Sequence, residues 1–187
     1  KVAYLGTPNS AHYLQTLGLK TISIRELHVD HFQDVNALVL LDDEGFDWNT
    51  DLHKTVNLLR KRNIPVVVAN TDMTYPVSHN QVAIAVGALG EMLEQVVGKR
   101  FIRFGKPDAQ MFIFAYEHIQ NYPQISKREI LMVGDTLTTD ILGGNKFGLD
   151  TALVLTGNTQ PKDVEVCIQS TGIIPTYVCA SAVVDYP

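Results

Sequence analysis

One stretch of this chain, from Glu129 to Thr156, combines two apolar runs with an acidic turn between them. The first run, Ile130-Leu131-Met132-Val133, is unbroken, as is typical of a parallel strand that helices cover on both faces. Gly134 and Asp135 follow it directly, and Asp140 comes five residues after Asp135. Carboxylates at the carboxyl end of a strand lie where open α/β sheets bind ligands. The stretch therefore predicts a strand–turn–helix–strand unit whose turn offers Asp135 to a hard cation such as Mg²⁺.

Each part of this unit also has a purely structural explanation. A Gly-Asp pair is common after a strand, and an aspartate near a helix start is often only a cap. Taken alone, the motif favours the structural explanation, in which Asp140 is a helix cap, over a ligand, and the rest of the chain has to decide between them.

The first half of the chain alternates apolar runs with amphipathic segments. Val2–Leu5, Ala37–Leu41 and Pro65–Ala69 predict strands, and the apolar spacing between Asn49 and Arg62 predicts a helix. This alternation is typical of a small parallel α/β layer. We place a soft domain boundary near Gly98, so that residues 1–98 and residues 99–187 form two domains.

Polar residues follow two of these predicted strands. Asp42, Asp43 and Glu44 come after the second strand, where a solvated acidic loop is preferred to a binding site. Asn70-Thr71-Asp72 opens the loop that runs to Pro76 after the third strand. Turn formers explain this loop structurally, and a substrate-facing loop is the alternative.

Composition limits the partners of the chain. The formal net charge is -5 and no basic patch is present, so nucleic acid is not expected. No apolar run approaches the ~20 residues of a membrane span, so no membrane partner is expected. Cys167 and Cys179 form no zinc motif or disulfide framework, which favours a reducing cytoplasm. His28 and His31 have a His-x-x-His spacing without further ligands nearby, so zinc is not favoured either.

A second signal, Gly105-Lys106-Pro107-Asp108, precedes a predicted helix that runs to about Gln120. Pro107 suits the first helical position, which would hold Lys106 beside a helix N-terminus. A lysine and a helix N-terminus together favour a phosphate or carboxylate. Without further context, a solvated lysine that extends into water is the preferred explanation.

Gly105-Lys106-Pro107 followed by Gly134-Asp135-(x)4-Asp140 resembles the third and fourth motifs of the haloacid-dehalogenase (HAD) superfamily. The flanks of the fourth motif resemble the NagD-like branch, subfamily IIA, which includes sugar-phosphate, nitrophenyl-phosphate and pyridoxal-phosphate phosphatases. Asn70-Thr71-Asp72 resembles the Asn-Pro-Asp cap loop of that branch, with Thr71 in place of the proline. The resemblance implies an α/β fold: a HAD-like Rossmannoid parallel sheet core, partly present as residues 99–187, and an α/β cap of the C2 type, residues 1–98.

The resemblance also implies a chemistry, the Mg²⁺-dependent hydrolysis of a small phosphate monoester through an aspartyl-phosphate. Lys106 would bind the phosphate, Asp135 would hold the Mg²⁺, and Asp140 would be an outer acid or a weaker ligand. The three residues Asn70, Thr71 and Asp72 would contact the small phosphorylated metabolite. A homodimer through the cap is compatible with the same resemblance.

The first two motifs of the family, an Asp-x-Asp-Gly nucleophile and a Ser or Thr after a strand, are not found. Asp42 and Asp43 are adjacent rather than spaced by one residue, so they do not replace the nucleophile. We therefore expect the 187 residues to be part of a longer chain whose upstream segment supplies it. The alternative is a non-catalytic protein of the same fold that binds a phosphorylated ligand or a partner.

Overall fold

A computed structural model of the chain describes residues 1–78, 81–119 and 125–183. It divides the chain into two compact units, the first spanning Lys1–Phe104 and the second beginning at Gly105. Strands alternate with helices in both units, and the larger sheets are parallel, which confirms the predicted α/β class.

The first unit is built on a five-stranded parallel sheet with the strand order β2-β1-β3-β4-β7. A separate antiparallel pair, β5 and β6, precedes its last helix. In chain order its elements are β1 (Val2–Leu5), α1 (Pro8–Thr16), β2 (Thr21–Ser23), a 3-10 helix (Val29–Asp34), β3 (Ala37–Leu40), α2 (Thr50–Lys61), β4 (Val66–Val68), β5 (Thr74–Ser78), β6 (Gln81–Ile84), α3 (Val86–Val97) and β7 (Ile102–Arg103).

The core of the first unit lies between the central strands and the helices that cover them. Leu5 of β1 and Leu40 of β3 are fully buried, as a strand with neighbours on both sides requires. Leu58 of α2 and Leu89 of α3 belong to the same apolar cluster. The apolar runs of the sequence therefore end up where continuous hydrophobicity predicts, in central strands.

The division between the units falls after Phe104 rather than near Gly98. β7 pairs with β4, and the N–H of Phe104 donates to the carbonyl of Val68 at 3.0 Å. The segment that was expected to open the second domain therefore completes the sheet of the first.

The second unit contains a three-stranded parallel sheet with the order β10-β9-β8. Leu137, Ile141 and Leu153 form its buried cluster. Its elements are α4 (Ala109–Ile119), a 3-10 turn (Lys127–Glu129), β8 (Leu131–Gly134), a π-helical turn (Leu137–Ile141), α5 (Leu142–Phe147), β9 (Asp150–Val154), α6 (Val164–Thr171) and β10 (Tyr177–Cys179).

β8 differs from the expectation of a strand covered on both faces. Leu131 and Val133 are 48% and 45% exposed, because β8 is an edge strand among the described residues and pairs there only with β9. No helix in the described ranges has the length and hydropathy that a membrane crossing needs.

Candidate active site

The turn after β8 is organised around the buried carboxylate of Asp140. Oδ2 of Asp140 accepts hydrogen bonds from the backbone N–H groups of Asp135, at 3.1 Å, and of Thr136, at 3.0 Å. Gly134 permits this close approach, since a Cβ built there would lie 2.2 Å from Cγ of Asp140. Asp140 itself belongs to the π-helical turn Leu137–Ile141, a local geometry that is frequent at functional sites.

Lys106 is held by the other oxygen of the same carboxylate. Its Nζ donates to Oδ1 of Asp140 at 2.5 Å, and the two side chains are 37% and 3% exposed. Both oxygens of Asp140 are therefore engaged, one by an ammonium group and one by two N–H donors. These contacts favour the outer role for Asp140, while its role as a metal ligand stays a prediction.

The helix that was expected to begin at Pro107 begins two residues later, at Ala109. Lys106 and Pro107 lie in a turn that is closed by a 2.8 Å hydrogen bond from the N–H of Asp108 to the carbonyl of Gly105. The prediction that Pro107 is the first helical residue was thus wrong, because residues 105–108 form a turn that precedes the helix. An anion does lie against Lys106, and it is the carboxylate of Asp140.

Asp135 has a different environment from Asp140, because it is half-buried and less heavily bonded. Its Oδ2 accepts the backbone N–H of Asn158 at 2.6 Å, whereas among the described residues Oδ1 accepts the hydroxyl of Thr136 alone, at 3.4 Å. No lysine or arginine in the described part of the chain pairs with this carboxylate. Oδ1 is therefore an oxygen that can still take a ligand.

The donor set fits the cation that the resemblance implies. Mg²⁺ prefers oxygen ligands and is commonly held by one or two carboxylates together with substrate phosphates, rather than by a complete protein cage. Asp135 supplies one such carboxylate. The N–H of Asp135 and the ammonium of Lys106 both donate to Asp140. Among the described residues no group of three His, Cys, Asp or Glu side chains gathers to hold a metal on its own.

The loop after β9 is part of this site, and sequence reasoning did not assign it a role. Gly157 packs so closely on Asp135 that a Cβ there would lie 1.9 Å from Oδ2. The side-chain amide of Asn158 donates to the hydroxyl of Thr136 at 2.8 Å, and the N–H of Thr159 donates to the carbonyl of Asp135 at 3.1 Å. Their position in the sequence could have indicated this role. These residues follow β9, the strand that pairs with β8, so both turns lie at the carboxyl edge of one parallel sheet.

The predicted substrate loop belongs to the first unit, where it follows β4. Oδ1 of Asn70 accepts the N–H of Asp72 at 2.8 Å, which is a local turn, and Thr71 is buried. Gly87 allows α3 to begin against this loop, because a Cβ there would lie 2.5 Å from the backbone of Thr71. The loop is thus a packed structural turn, and contact of Asn70, Thr71 and Asp72 with substrate stays a prediction.

The acidic loop after β3 is bonded within the first unit as well. Oδ2 of Asp42 accepts the N–H of Thr7 at 3.0 Å and its hydroxyl at 2.8 Å, which ties the loops after β1 and β3 together. The hydroxyl of Tyr75 donates to Asp43 at 3.0 Å, and this hydrogen bond raises the pKa of Tyr75. Both aspartates therefore have hydrogen-bond partners within the first unit, whereas the sequence predicted a solvated acidic loop.

Residues 103–183 match a family model described as HAD-hydrolase-like. Human glycerol-3-phosphate phosphatase is 26% identical over 193 residues, an alignment that covers 95% of this chain and 59% of that protein. Human chronophin is 30% identical over 149 residues, with 79% of this chain and 49% of that protein covered. The chain spans about half the length of the curated relatives it matches.

Solved structures also match nearly the whole chain. A protein from Cytophaga hutchinsonii, described as a possible sugar phosphatase, matches with a TM-score of 0.92 and 63% identity, over 99% of this chain and 65% of that chain. NagD from Escherichia coli has a TM-score of 0.73 at 24% identity, over 99% of this chain and 66% of that chain, and this match shows the fold alone.

Proposed function

Since the chain belongs to the haloacid-dehalogenase superfamily, we propose that it carries the cap and part of the core of a Mg²⁺-dependent phosphatase. The first unit is the cap in this proposal, and the second is the C-terminal part of the core. The substrate is a small phosphate monoester of the sugar-phosphate kind. The name of the similar protein from Cytophaga hutchinsonii supports this substrate class.

The observation that carries the proposal is that the carboxylate of Asp140 joins the ammonium of Lys106 to the turn that carries the half-buried carboxylate of Asp135. Asp140 fixes the position of the Lys106 ammonium and also closes the turn that presents Asp135. An ammonium group has three donors, so its bond to Asp140 is compatible with binding a phosphoryl oxygen. When bound, Mg²⁺ would neutralise charge on the phosphoryl group, and Asp135 is the residue that would hold it.

Hydrolysis of p-nitrophenyl phosphate with and without Mg²⁺ tests the proposal, on a protein whose measured mass shows that it includes the upstream segment expected to supply the nucleophile. Lys106→Ala and Asp135→Asn should each lower kcat/KM by about 100-fold or more, since each removes a charge that acts on the phosphoryl group. Lys162→Ala, which removes an exposed lysine of the same unit, should leave the rate unchanged and serves as the control.

Two results would contradict the proposal in different ways. Binding of phosphate esters without turnover would favour the alternative, a non-catalytic protein of the same fold that binds a phosphorylated ligand. Turnover that does not depend on Mg²⁺, Lys106 or Asp135 would show that catalysis does not take place at the proposed site. A panel of sugar phosphates, pyridoxal phosphate and phosphoglycolate then identifies the preferred substrate.

Two further expectations belong to the same proposal. Cys167 and Cys179 are free thiols, which supports a reducing compartment such as the cytoplasm. A homodimer through the cap is the assembly that we expect, and sedimentation at several protein concentrations tests it.

A further inference from the structure

The loop after β9 carries a side chain that the proposed chemistry does not yet use. We propose that Asn158 is a positioning residue: through Thr136 it holds the carboxylate of Asp135 in the orientation that leaves Oδ1 to a divalent cation. This inference rests on the proposed function, because it assigns Asn158 to the same metal site.

Asn158 acts on the Asp135 carboxylate through two separate donors, one directly and one through Thr136. Its backbone N–H donates to Oδ2 of Asp135 at 2.6 Å, and its side-chain amide donates to the hydroxyl of Thr136 at 2.8 Å. Any residue at this position would keep the first hydrogen bond. Only a side chain with a donor of suitable length makes the second, so the second is the contribution that belongs to asparagine.

The hydroxyl of Thr136 connects this amide to Asp135. A hydroxyl rotates to suit its partners and can both accept and donate. When it accepts the amide N–H of Asn158, its own proton is left for Oδ1 of Asp135, which lies 3.4 Å away. That distance marks a weak bond, so it orients the carboxylate without saturating the oxygen that would bind a cation.

The neighbours of Asn158 restrict Asp135 further. Gly157 lies against the carboxylate with no room for a Cβ, and the N–H of Thr159 donates to the backbone carbonyl of Asp135. Three consecutive residues of one loop therefore contact a single aspartate. Partners of this kind fix the orientation of a metal ligand, and their loss typically costs 10–100-fold in metal affinity or activity.

The side-chain contribution is tested by Asn158→Leu, which has nearly the same size and keeps the backbone N–H. We expect the Mg²⁺ dissociation constant, measured by titration calorimetry, to rise by about 10-fold. The rise in Tm that Mg²⁺ produces should shrink accordingly. The KM for p-nitrophenyl phosphate at saturating Mg²⁺ should stay unchanged, because Lys106 is not altered. Asn158→Ala is the second variant, and it should weaken Mg²⁺ binding to a similar extent.

A double-mutant cycle tests whether Asn158 acts through Thr136. Thr136→Val removes the hydroxyl and should weaken Mg²⁺ binding by the same factor as Asn158→Leu. The double variant should bind Mg²⁺ little more weakly than either single variant, since the effects of substitutions in one hydrogen-bond chain are not additive. Thr136→Ser keeps the hydroxyl and should recover most of the affinity that Thr136→Val loses.

Asn145→Leu is the matched control in the same unit. The side chain of Asn145 donates to the carbonyl of Ile174 at 2.9 Å and accepts the hydroxyl of Thr151 at 3.0 Å, so its bonds are structural. This variant should lose thermal stability without a change in Mg²⁺ affinity. Unchanged Mg²⁺ affinity in Asn158→Leu, beside a wild type that binds Mg²⁺ and hydrolyses phosphate esters, would overturn the inference and leave the proposed function intact. A wild type that neither binds Mg²⁺ nor hydrolyses these esters would overturn both.

Discussion

At the scale of single residues, Asp140 joins stability to the proposed chemistry. Its buried carboxylate accepts from the ammonium of Lys106 and from two backbone N–H groups. In Asp140→Asn the amide nitrogen would face one of these donors, so at least one bond is lost. We expect a loss of about 2 kcal/mol in the free energy of unfolding, measured by urea denaturation at pH 7.

Asp150→Asn controls for the loss of a negative charge in the same unit. Asp150 is exposed at the start of β9, and its replacement should change the free energy of unfolding by less than about 0.5 kcal/mol. Equal losses in the two variants would show that net charge, rather than the bonds of Asp140, determines the effect.

Gly157 gives a second prediction at this scale, because its missing side chain makes room for the carboxylate of Asp135. Gly157→Ala should displace the loop or the carboxylate and abolish measurable Mg²⁺ binding, while the far-ultraviolet circular dichroism stays that of the wild type. Gly172→Ala adds the same methyl group in the same unit, where nothing lies within 4 Å. At a φ of +68° it should cost about 1 kcal/mol of stability without altering Mg²⁺ binding. Normal Mg²⁺ affinity in Gly157→Ala would contradict the close packing.

The sequence predicted some residues of the candidate site and missed others for a physical reason. Lys106, Asp135 and Asp140 stand in patterns whose spacing is local, so the chain itself indicates their chemistry. Asn158 lies 23 residues from Asp135 and contacts it only because β8 and β9 are parallel neighbours. Its role depends on a loop conformation that neither composition nor spacing specifies.

At the scale of elements, a buried glutamate holds the chain between α3 and β7. Glu94 accepts the N–H of Phe101 at 2.5 Å and pairs with Arg103 at 2.5 Å. Burial by itself would raise the pKa of Glu94, but the Phe101 N–H and the Arg103 guanidinium outweigh it and lower that pKa. The glutamate therefore stabilises the fold fully above its unfolded pKa of about 4.3, and this contribution is lost as the pH falls through the lower folded value.

Glu94→Gln tests this dependence. At pH 7 we expect a loss of about 1–2 kcal/mol in the free energy of unfolding of the first unit, since a buried charged hydrogen bond becomes a neutral one. Below pH 4 the difference from the wild type should shrink, which urea denaturation across the acid range measures. Glu91→Gln is the control, because Glu91 pairs with the same Arg103 at 3.2 Å but is half exposed, and it should change little. If the stability of Glu94→Gln fell with acid as steeply as that of the wild type, Glu94 would not be the source of this pH dependence.

The positions of the strands in the sequence were more predictable than the pairing of those strands in the sheets. β1, β3 and β4 carry unbroken apolar runs, and they are the central strands of the first sheet. β7 is only two residues long, and its membership in that sheet follows from pairing with β4, which local sequence does not encode. The start of α4 was missed for a related reason, since the turn at Gly105 to Asp108 competes locally with the first helical turn.

At the scale of the whole molecule, the two units differ in how much apolar surface they bury. Among the described residues, the cluster of the first unit runs through its central strands and the helices α2 and α3, whereas the cluster of the second unit has Leu137, Ile141 and Leu153 as its buried members. Burial of apolar surface is the main favourable term in folding, so the first unit should be the more stable of the two. The sequence predicted two domains divided near Gly98, but it did not indicate this imbalance, which depends on how many strands each sheet contains.

Hydrogen exchange followed by mass spectrometry tests the imbalance on the intact chain. Amides in β3 lie between β1 and β4, so they should exchange only through large openings and be the slowest. Amides in β8 should exchange faster, because among the described residues β8 is an edge strand with Leu131 and Val133 nearly half exposed. β9, which has neighbours on both sides, is the control within the second unit and should exchange more slowly than β8. Protection of β8 equal to that of β3 would mean that its free edge is covered in solution, and the exposed apolar side chains would then belong to an interface rather than to a surface.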